Sequence, residues 1–371
     1  MIIGIDARPL SYPLTGIGTY LTHLLDHLQR MDRRNRYVLM SNAPIRYRLV
    51  NPKWRLLNGE VTHKIYSTAW YLGVVPRLAI DLKLDLFWGP RHHLPLWLPR
   101  RVRTVLTVHD VVHRLLPGTM TVANRLTETA LMGASVRRAD RIAADSLATA
   151  AELRRQFRLS ASKVTTVYPG VPGTPETPAV SKGDVWGGDT PQNRFFLFVG
   201  TMDPRKNLLR VLDGFEMAAE RYPDVDLVIA GGAGWKNRRL MDRIRTHSAH
   251  RQIRLTGYVS RFELGRLYRQ ALALVFPSLY EGFGLPVVEA MAAGLPVIGS
   301  NGGALAEVIG GAGLKANPYD SRSIGRAMCQ LIASPSLQHR LAEAGRLQVQ
   351  RYSWDRCAQT MLTIFDEARR A

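Results

Sequence analysis

Cysteine is almost missing from this sequence. Cys329 and Cys357 are the only two in 371 residues, both fall inside helical patterns, and no CxxC occurs. A disulfide framework or a cysteine-held metal is therefore not expected, and a reducing compartment fits. Long apolar runs are missing as well. No stretch of about 18 uninterrupted apolar residues exists, so no segment is expected to span a bilayer. The start, Met1-Ile2-Ile3-Gly4-Ile5-Asp6, lacks the basic opening and apolar run of a signal peptide. A cytoplasmic or peripheral protein is the expectation. No HExxH or HxE pattern appears, and His92-His93, after Gly89-Pro90, read as loop residues rather than metal ligands.

Acid is also in short supply: 30 Asp and Glu stand against 50 Lys and Arg, a net charge of +20. Residues 1–180 carry 25 basic against 12 acidic side chains, so the excess leans to the first half. Nucleic acid, anionic lipid, phosphorylated substrates and a merely soluble basic surface are all compatible with that charge. No nucleic-acid-binding module is visible, and no nucleic-acid partner is expected.

What is present is alternation. Ile2–Asp6 reads as a buried strand, followed by a loop and an amphipathic helix from about Thr19 to Met31. Further strands are expected at 37–41, 84–88, 102–108, 141–144 and 164–168. Short apolar runs alternating with helical patterns mark a parallel sheet with helices on both faces. From Pro169 to Asn193 there are five prolines, five glycines and little apolar periodicity, which reads as a linker. The pattern then restarts, with strands at 195–199, 226–230, 253–256, 273–277 and 296–299. Helices are expected at 208–222, 262–271 and 286–293. The expected boundaries are a first α/β Rossmann-like domain at 1–172, a linker at 173–193 and a second at 194–353, with the helix 354–371 packing back on the first. Ligands bind at the carboxyl ends of such strands, so the two domains are expected to face one another across a cleft.

The most specific segment is Glu281-Gly-Phe-Gly-Leu-Pro-Val-Val-Glu289. Gly282 and Gly284 leave the backbone bare, and Pro286 suits the first turn of a helix. Such a loop delivers amides and a helix N-terminus to a phosphate. Glu289, on the first turns of that helix, suits a ribose diol, and Glu281 faces whatever the phosphate carries. A second segment, Val199-Gly200-Thr201-Met202-Asp203-Pro204-Arg205-Lys206-Asn207, follows a strand and offers an arginine fork and a lysine point charge. In the first half, Thr15-Gly16-Ile17-Gly18-Thr19 opens a helix, but Leu21 stands where a dinucleotide fingerprint needs its third glycine. Val108-His109-Asp110 ends a strand.

These segments resemble the retaining glycosyltransferases of family 4, which have the two-domain GT-B fold. The paired glutamates, the Asp-Pro-Arg-Lys-Asn loop and Gly294-Leu-Pro-Val-Ile-Gly-Ser-Asn-Gly-Gly-Ala-Leu-Ala-Glu307 carry the resemblance. It is strong over 195–320 and looser over 1–170. It implies that Arg205 and Lys206 hold the donor diphosphate, that Glu281 meets the sugar and that Glu289 meets the ribose. It further implies donor contacts from Gly16, Gly18, Gly200, Tyr258, Val259, Gly282, Phe283, Gly284 and Leu285, with His109 near the reacting carbon. Arg205, Lys206, Glu281 and His109 are the expected catalytic set. Many members carry arginine directly after the strand-end glycine, where this sequence has Thr201.

Within the family, Gly4-Ile-Asp-Ala-Arg8 and the two loops look most like bacterial mannosyl- and rhamnosyltransferases of O-antigen or exopolysaccharide assembly. The implied donor is a GDP-sugar, with no metal or other cofactor required. The implied acceptor is a polyprenyl-diphosphate-linked glycan at the inner face of the bacterial inner membrane, with peripheral association to anionic lipid. Trp54, Trp70, Trp88 and Trp97, with the aromatic and basic stretches 66–80 and 97–103, are expected to form the interfacial surface. Core packing explains these aromatics equally well. UDP- or ADP-sugar donors, and an epimerase or phosphorylase of the same fold, are the alternatives. A phosphorylase needs a pyridoxal-binding lysine, for which no motif is evident.

Overall fold

A computed structural model describes residues 1–12, 16–60, 64–171 and 194–371, with residues 64–66 described by backbone alone. The expected linker at 173–193 lies outside the described residues, as does Thr15. The chain divides into two compact units: Met1–Gly170 with Tyr352–Ala371, and Val171–Arg351.

The first unit is built on seven strands: β1 (Ile2–Asp6), β2 (Arg36–Ser41), β3 (Trp54–Asn58), β4 (Leu86–Gly89), β5 (Arg103–Val108), β6 (Arg141–Ala144) and β7 (Val164–Thr166). They pair in the order β3-β2-β1-β4-β5-β6-β7, and every pairing is parallel. Central strands with helices on both faces are buried on both sides, which is why they read as continuous apolar runs. The core joins Ile3, Ile5 and Leu39 of the sheet to Leu21, Leu24 and Leu28 of the helix Gly16–Met31. The final helix, Trp354–Arg370, adds Cys357, Met361, Ile364 and Phe365 to the same core. Where the chain leaves the first unit and where it returns, Gly170 lies against Trp354; a Cβ on Gly170 would sit 2.3 Å from the Trp354 nitrogen.

The second unit carries β8 (Arg194–Val199), β9 (Val225–Ala230), β10 (Ile253–Gly257), β11 (Ala273–Phe276), β12 (Val297–Ser300) and β13 (Leu314–Ala316). They form a parallel sheet in the order β10-β9-β8-β11-β12-β13. The order reverses beside β8: its neighbours are β9 and β11. Ligand crevices of open parallel sheets form at such a switch point. The loops that follow β8 and β11 both leave from this place.

Several expectations need correction. The helix expected from Thr19 begins at Gly16, so Gly16 and Gly18 lie in its first turn rather than in a loop before it. Trp54 and Trp88 do not form an interfacial surface. Trp88 is fully buried with its indole N–H donating to Thr107 Oγ1, and Trp54 stacks on Tyr37 at 4.2 Å between centroids. For Trp88, burying the ring with its N–H satisfied outweighs leaving it in an interface. Trp97 is 68% exposed, and Trp70 is half-buried in the helix Lys64–Asp81. Two strands, β3 and β13, were not expected. No helix is long and apolar enough to cross a membrane among the described residues.

Candidate active site

In the second unit, β8 ends at Val199 and the chain turns through Gly200, whose φ of 139° favours glycine. Asp203 then caps a short 3-10 turn, Pro204–Lys206, its carboxylate accepting from the Arg205 amide at 2.9 Å. Asn207 closes the turn in the left-handed region and starts the helix Leu208–Arg221. Its side-chain amide donates to the carbonyls of Pro277 (2.9 Å) and Pro318 (2.7 Å). The Leu279 amide donates to the Arg205 carbonyl at 2.9 Å. The loop after β8 is thereby stitched to the loop after β11.

That stitching brings Arg205, Lys206 and Glu281 together. Arg205 Nη1 donates to Glu281 Oε2 at 2.6 Å and to the Tyr280 carbonyl at 3.0 Å. Lys206 Nζ donates to Glu281 Oε1 at 2.8 Å and lies 4.6 Å from the centre of the Phe276 ring. The Lys206 and Glu281 side chains are 11% and 9% exposed. Burial by itself would raise the Glu281 carboxyl, but the Arg205 and Lys206 charges outweigh it and hold it down at about 2. Lys206 is shifted down: its burial and the neighbouring Arg205 cation outweigh the Glu281 and Asp203 carboxylates. Burial pushes the Asp203 carboxyl up, against the pull of Arg205 and Lys206.

Glu281 is followed by Gly282, Phe283 and Gly284, all buried. Gly284 is the N-cap of the helix Leu285–Ala292, with φ of 105° and Pro286 in the first turn. The first amides of a helix have no intrahelical acceptor and sit at the positive end of its dipole. A Cβ at Gly284 would lie 2.6 Å from Leu305 Cδ2. Gly284→Ala is therefore expected to destabilise the protein by about 1–3 kcal/mol, seen as an earlier midpoint in urea. An unchanged midpoint would show that the loop relaxes freely. One turn further along, Glu289 accepts from the Tyr268 hydroxyl at 2.8 Å, and burial raises its carboxyl. Tyr258, beyond the end of β10, is 80% exposed, and Val259 is half-buried. They follow the outermost strand, two places from β8.

In the first unit, His109 follows β5. Its Nδ1 lies 2.7 Å from Asp145 Oδ2 and its Nε2 lies 2.8 Å from the Pro90 carbonyl. Tyr20, from the helix that begins with Gly16 and Gly18, meets the ring edge-on at 4.9 Å. Both ring nitrogens face acceptors, so only the imidazolium satisfies both contacts. Burial works against that charge, but the Asp145 carboxylate and the Pro90 carbonyl prevail and raise the histidine above its ordinary value. A raised folded-state value contributes stability that is complete below about pH 6.5 and is lost as pH rises through the folded value. Asp145→Asn is expected to lower the His109 titration midpoint, followed by ring resonances in NMR, and to flatten this alkaline loss of stability. An unmoved midpoint would refute the arrangement.

Beside this ring, His92 and His93 share the Glu128 carboxylate at 3.5 and 3.2 Å. Among the described residues no group of three His, Cys, Asp or Glu is arranged to hold a metal ion. Asp6 and Arg8 form a buried two-pronged pair, with both contacts at 2.7 Å, and the guanidinium lies 3.6 Å from the centre of the Tyr71 ring. A cavity of about 600 Å³ opens there, lined by Arg8, Tyr12, Tyr71, Arg91, His93 and Asn124 among others.

Sequence reasoning named Asp203 only as part of its loop, without a role, and did not reach Tyr268, Asp145 or Glu128. Asp203, directly before Pro204, carries the signal of a side-chain-capped turn. Asp145 sits at the carboxyl end of a strand, where ligand-facing residues gather.

Known proteins resemble this chain in both halves. Residues 188–348 match the family model "Glycosyl transferases group 1", and residues 14–172 match "Glycosyltransferase Family 4". The chain is 28% identical to the O-antigen chain mannosyltransferase B of Escherichia coli, over 96% of this chain and 97% of that protein. It is 31% identical to a serotype-specific mannosyltransferase of Escherichia coli over 47% of this chain and 22% of the relative. Among solved structures, the sucrose-phosphate synthase of Thermosynechococcus elongatus superposes with a TM-score of 0.79 at 20% identity, over 99% of this chain and 98% of that one. With two parallel α/β sheets of seven and six strands and a family match in each half, the chain is a glycosyltransferase of family 4 with the GT-B fold.

Proposed function

We propose that the protein transfers mannose or rhamnose, with retention, from a GDP-sugar to a polyprenyl-diphosphate-linked glycan of O-antigen or exopolysaccharide assembly. The observation that carries the donor half is the buried cluster of Arg205, Lys206 and Glu281 at the switch point of the second sheet. Glu281 bridges both cations and leaves a net positive charge between them. An arriving diphosphate competes for them and frees Glu281 to accept hydroxyls of the sugar. The bond from the sugar's anomeric carbon to phosphate oxygen breaks and the acceptor oxygen bonds that carbon from the same face. The acceptor proton passes to the departing phosphate. Arg205, Lys206 and the amides around Gly284 carry the charge that grows there. Glu289 takes the ribose, Tyr258 and Val259 the base, and His109 the sugar, with Gly16, Gly18 and Gly200 allowing close approach.

The mannosyl reading is supported by the relative named a mannosyltransferase that matches over nearly the whole length. In this reading the second unit binds the donor and the first the acceptor, in the cavity beside Arg8 and Tyr71. The test is binding of GDP-, UDP- and ADP-sugars, followed by transfer to lipid-linked glycans. Tight binding and turnover with GDP-mannose or GDP-rhamnose are expected. Transfer from a UDP- or ADP-sugar alone would overturn the donor, and consumption of donor without an acceptor would point to an epimerase.

A further inference from the structure

Residues 30–55 hold eight basic side chains, Arg30, Arg33, Arg34, Arg36, Arg46, Arg48, Lys53 and Arg55, against one acid, Asp32. All eight are exposed, and Asp32 is buried. Asp32 is spent internally, accepting from the amides of Arg34 and Asn35, the Asn35 side chain and the Tyr37 hydroxyl. Among the described ion pairs none involves any of the eight.

The fold collects these cations on one edge. β2 and β3 are parallel neighbours and β3 is outermost, so the connection between them must run back along the strands. Gln29, near the end of the first helix, holds that connection through the amides of Val50 and Asn51, and Asn51 donates back to the Gln29 carbonyl. Lys53 Nζ reaches the Arg33 carbonyl. Arg36, Lys53 and Arg55 converge on a cavity of about 340 Å³ with Val38, Pro52 and Leu82. Exposed apolar groups stand among the charges: Val50 is 68% exposed, and Met31, Pro44 and Pro52 are exposed as well.

We infer that this β2–β3 edge is the surface by which the protein docks on a bilayer rich in anionic phospholipid. One small anion would answer two or three cations; eight cations along an edge, none in a described ion pair, match an extended anionic surface. Exposed aliphatic and proline residues among them suit the headgroup boundary. Tyr37 and Trp54 are buried against each other, and Tyr47 is packed on the core with its hydroxyl donating to Asp26, so the edge offers no fully exposed ring on which bases could stack. The inference rests on the reading of a membrane-borne acceptor for its purpose, but vesicles without donor or acceptor test it separately.

The experiment is co-sedimentation of the full chain, at low salt, with vesicles of phosphatidylglycerol and phosphatidylcholine or of phosphatidylcholine alone. Binding only to the acidic vesicles is expected, weakening as salt is added. The variant R34Q/R36Q/R48Q/R55Q is expected to bind at least about a hundredfold more weakly, at roughly fivefold per residue. Its melting temperature and its transfer to a lipid-free glycan should be unchanged. The charge-matched variant R238Q/R239Q/R251Q/R322Q, altered in the second unit, should keep its binding and controls for net charge. Equal vesicle binding by the edge variant and the wild type would overturn the inference, as would absence of binding to acidic vesicles. So would tighter binding to duplex DNA than to vesicles at the same salt. Failure of glycosyl transfer with intact vesicle binding would instead count against the proposed activity.

Discussion

Lys206→Ala is expected to lower turnover by about two to three orders of magnitude. The Lys206 side chain is almost out of water, and its ammonium is ion-paired to the Glu281 carboxylate. When a diphosphate departs, negative charge grows where a fixed cation in a dry site has the greatest leverage. Removing the lysine takes that charge away and leaves Glu281 with Arg205 alone, so the carboxylate is less easily surrendered to the sugar. Lys206→Arg should restore little, because a planar fork cannot occupy the place of a compact ammonium beside the Phe276 ring. The measurement is kcat at saturating donor and acceptor. Near-normal turnover in Lys206→Ala would remove the lysine from the chemistry. Because Glu281 is held down at about 2, its contribution to stability is complete above about pH 4.5 and is lost as the pH falls through 2. An acid limb of activity near neutrality therefore belongs to another group.

Phe365→Ala carries the largest expected cost in stability, about 3–5 kcal/mol. The ring is fully buried and meets Trp88 edge-on, with centroids 5.6 Å apart. Those few kcal/mol are a large part of the roughly 5–15 kcal/mol that separates folded from unfolded chains. Urea denaturation followed by tryptophan fluorescence measures this, since five of the seven tryptophans (Trp54, Trp70, Trp88, Trp97 and Trp354) belong to the first unit. Leu347→Ala, at a side chain that is 66% exposed, is the comparison and should move the midpoint little. A Phe365→Ala midpoint equally unmoved would mean that the last helix is not part of the core.

How far the fold was legible follows from where water reaches. Central strands such as β5 and β9 are buried along nearly their whole length and stand out as apolar runs. β3 and β13 are outermost, with half-buried and exposed positions interleaved, and nothing in their composition separates them from loops. Pro76 lies inside the helix Lys64–Asp81, where proline ordinarily argues against a helix, so that stretch reads as an aromatic surface. The site divides in the same manner. Each of the two loops reads, in its own residues, as suited to a phosphate. Their meeting does not show, because Lys206 and Glu281 are 75 residues apart. Nor does sequence reveal that His109 is held by Asp145, 36 residues away. Which tryptophans are buried was equally hidden, since hydrophobic rings serve a core and an interface alike.

The helix Trp354–Arg370 belongs to the first unit, although the whole second unit precedes it in the chain. On the ribosome, the first sheet and the helix Gly16–Met31 are therefore made long before the element that covers them. About 200 residues separate Gly170 from Arg370, which at roughly 5–20 residues per second is a wait of about 10–40 s. During that interval the surface destined for Cys357, Met361, Ile364 and Phe365 faces solvent or a chaperone. The second unit, continuous in sequence, is complete earlier in the order of synthesis. The amino-terminal half of this enzyme is thus the last to be finished, and its unfinished apolar face is where aggregation during synthesis would begin.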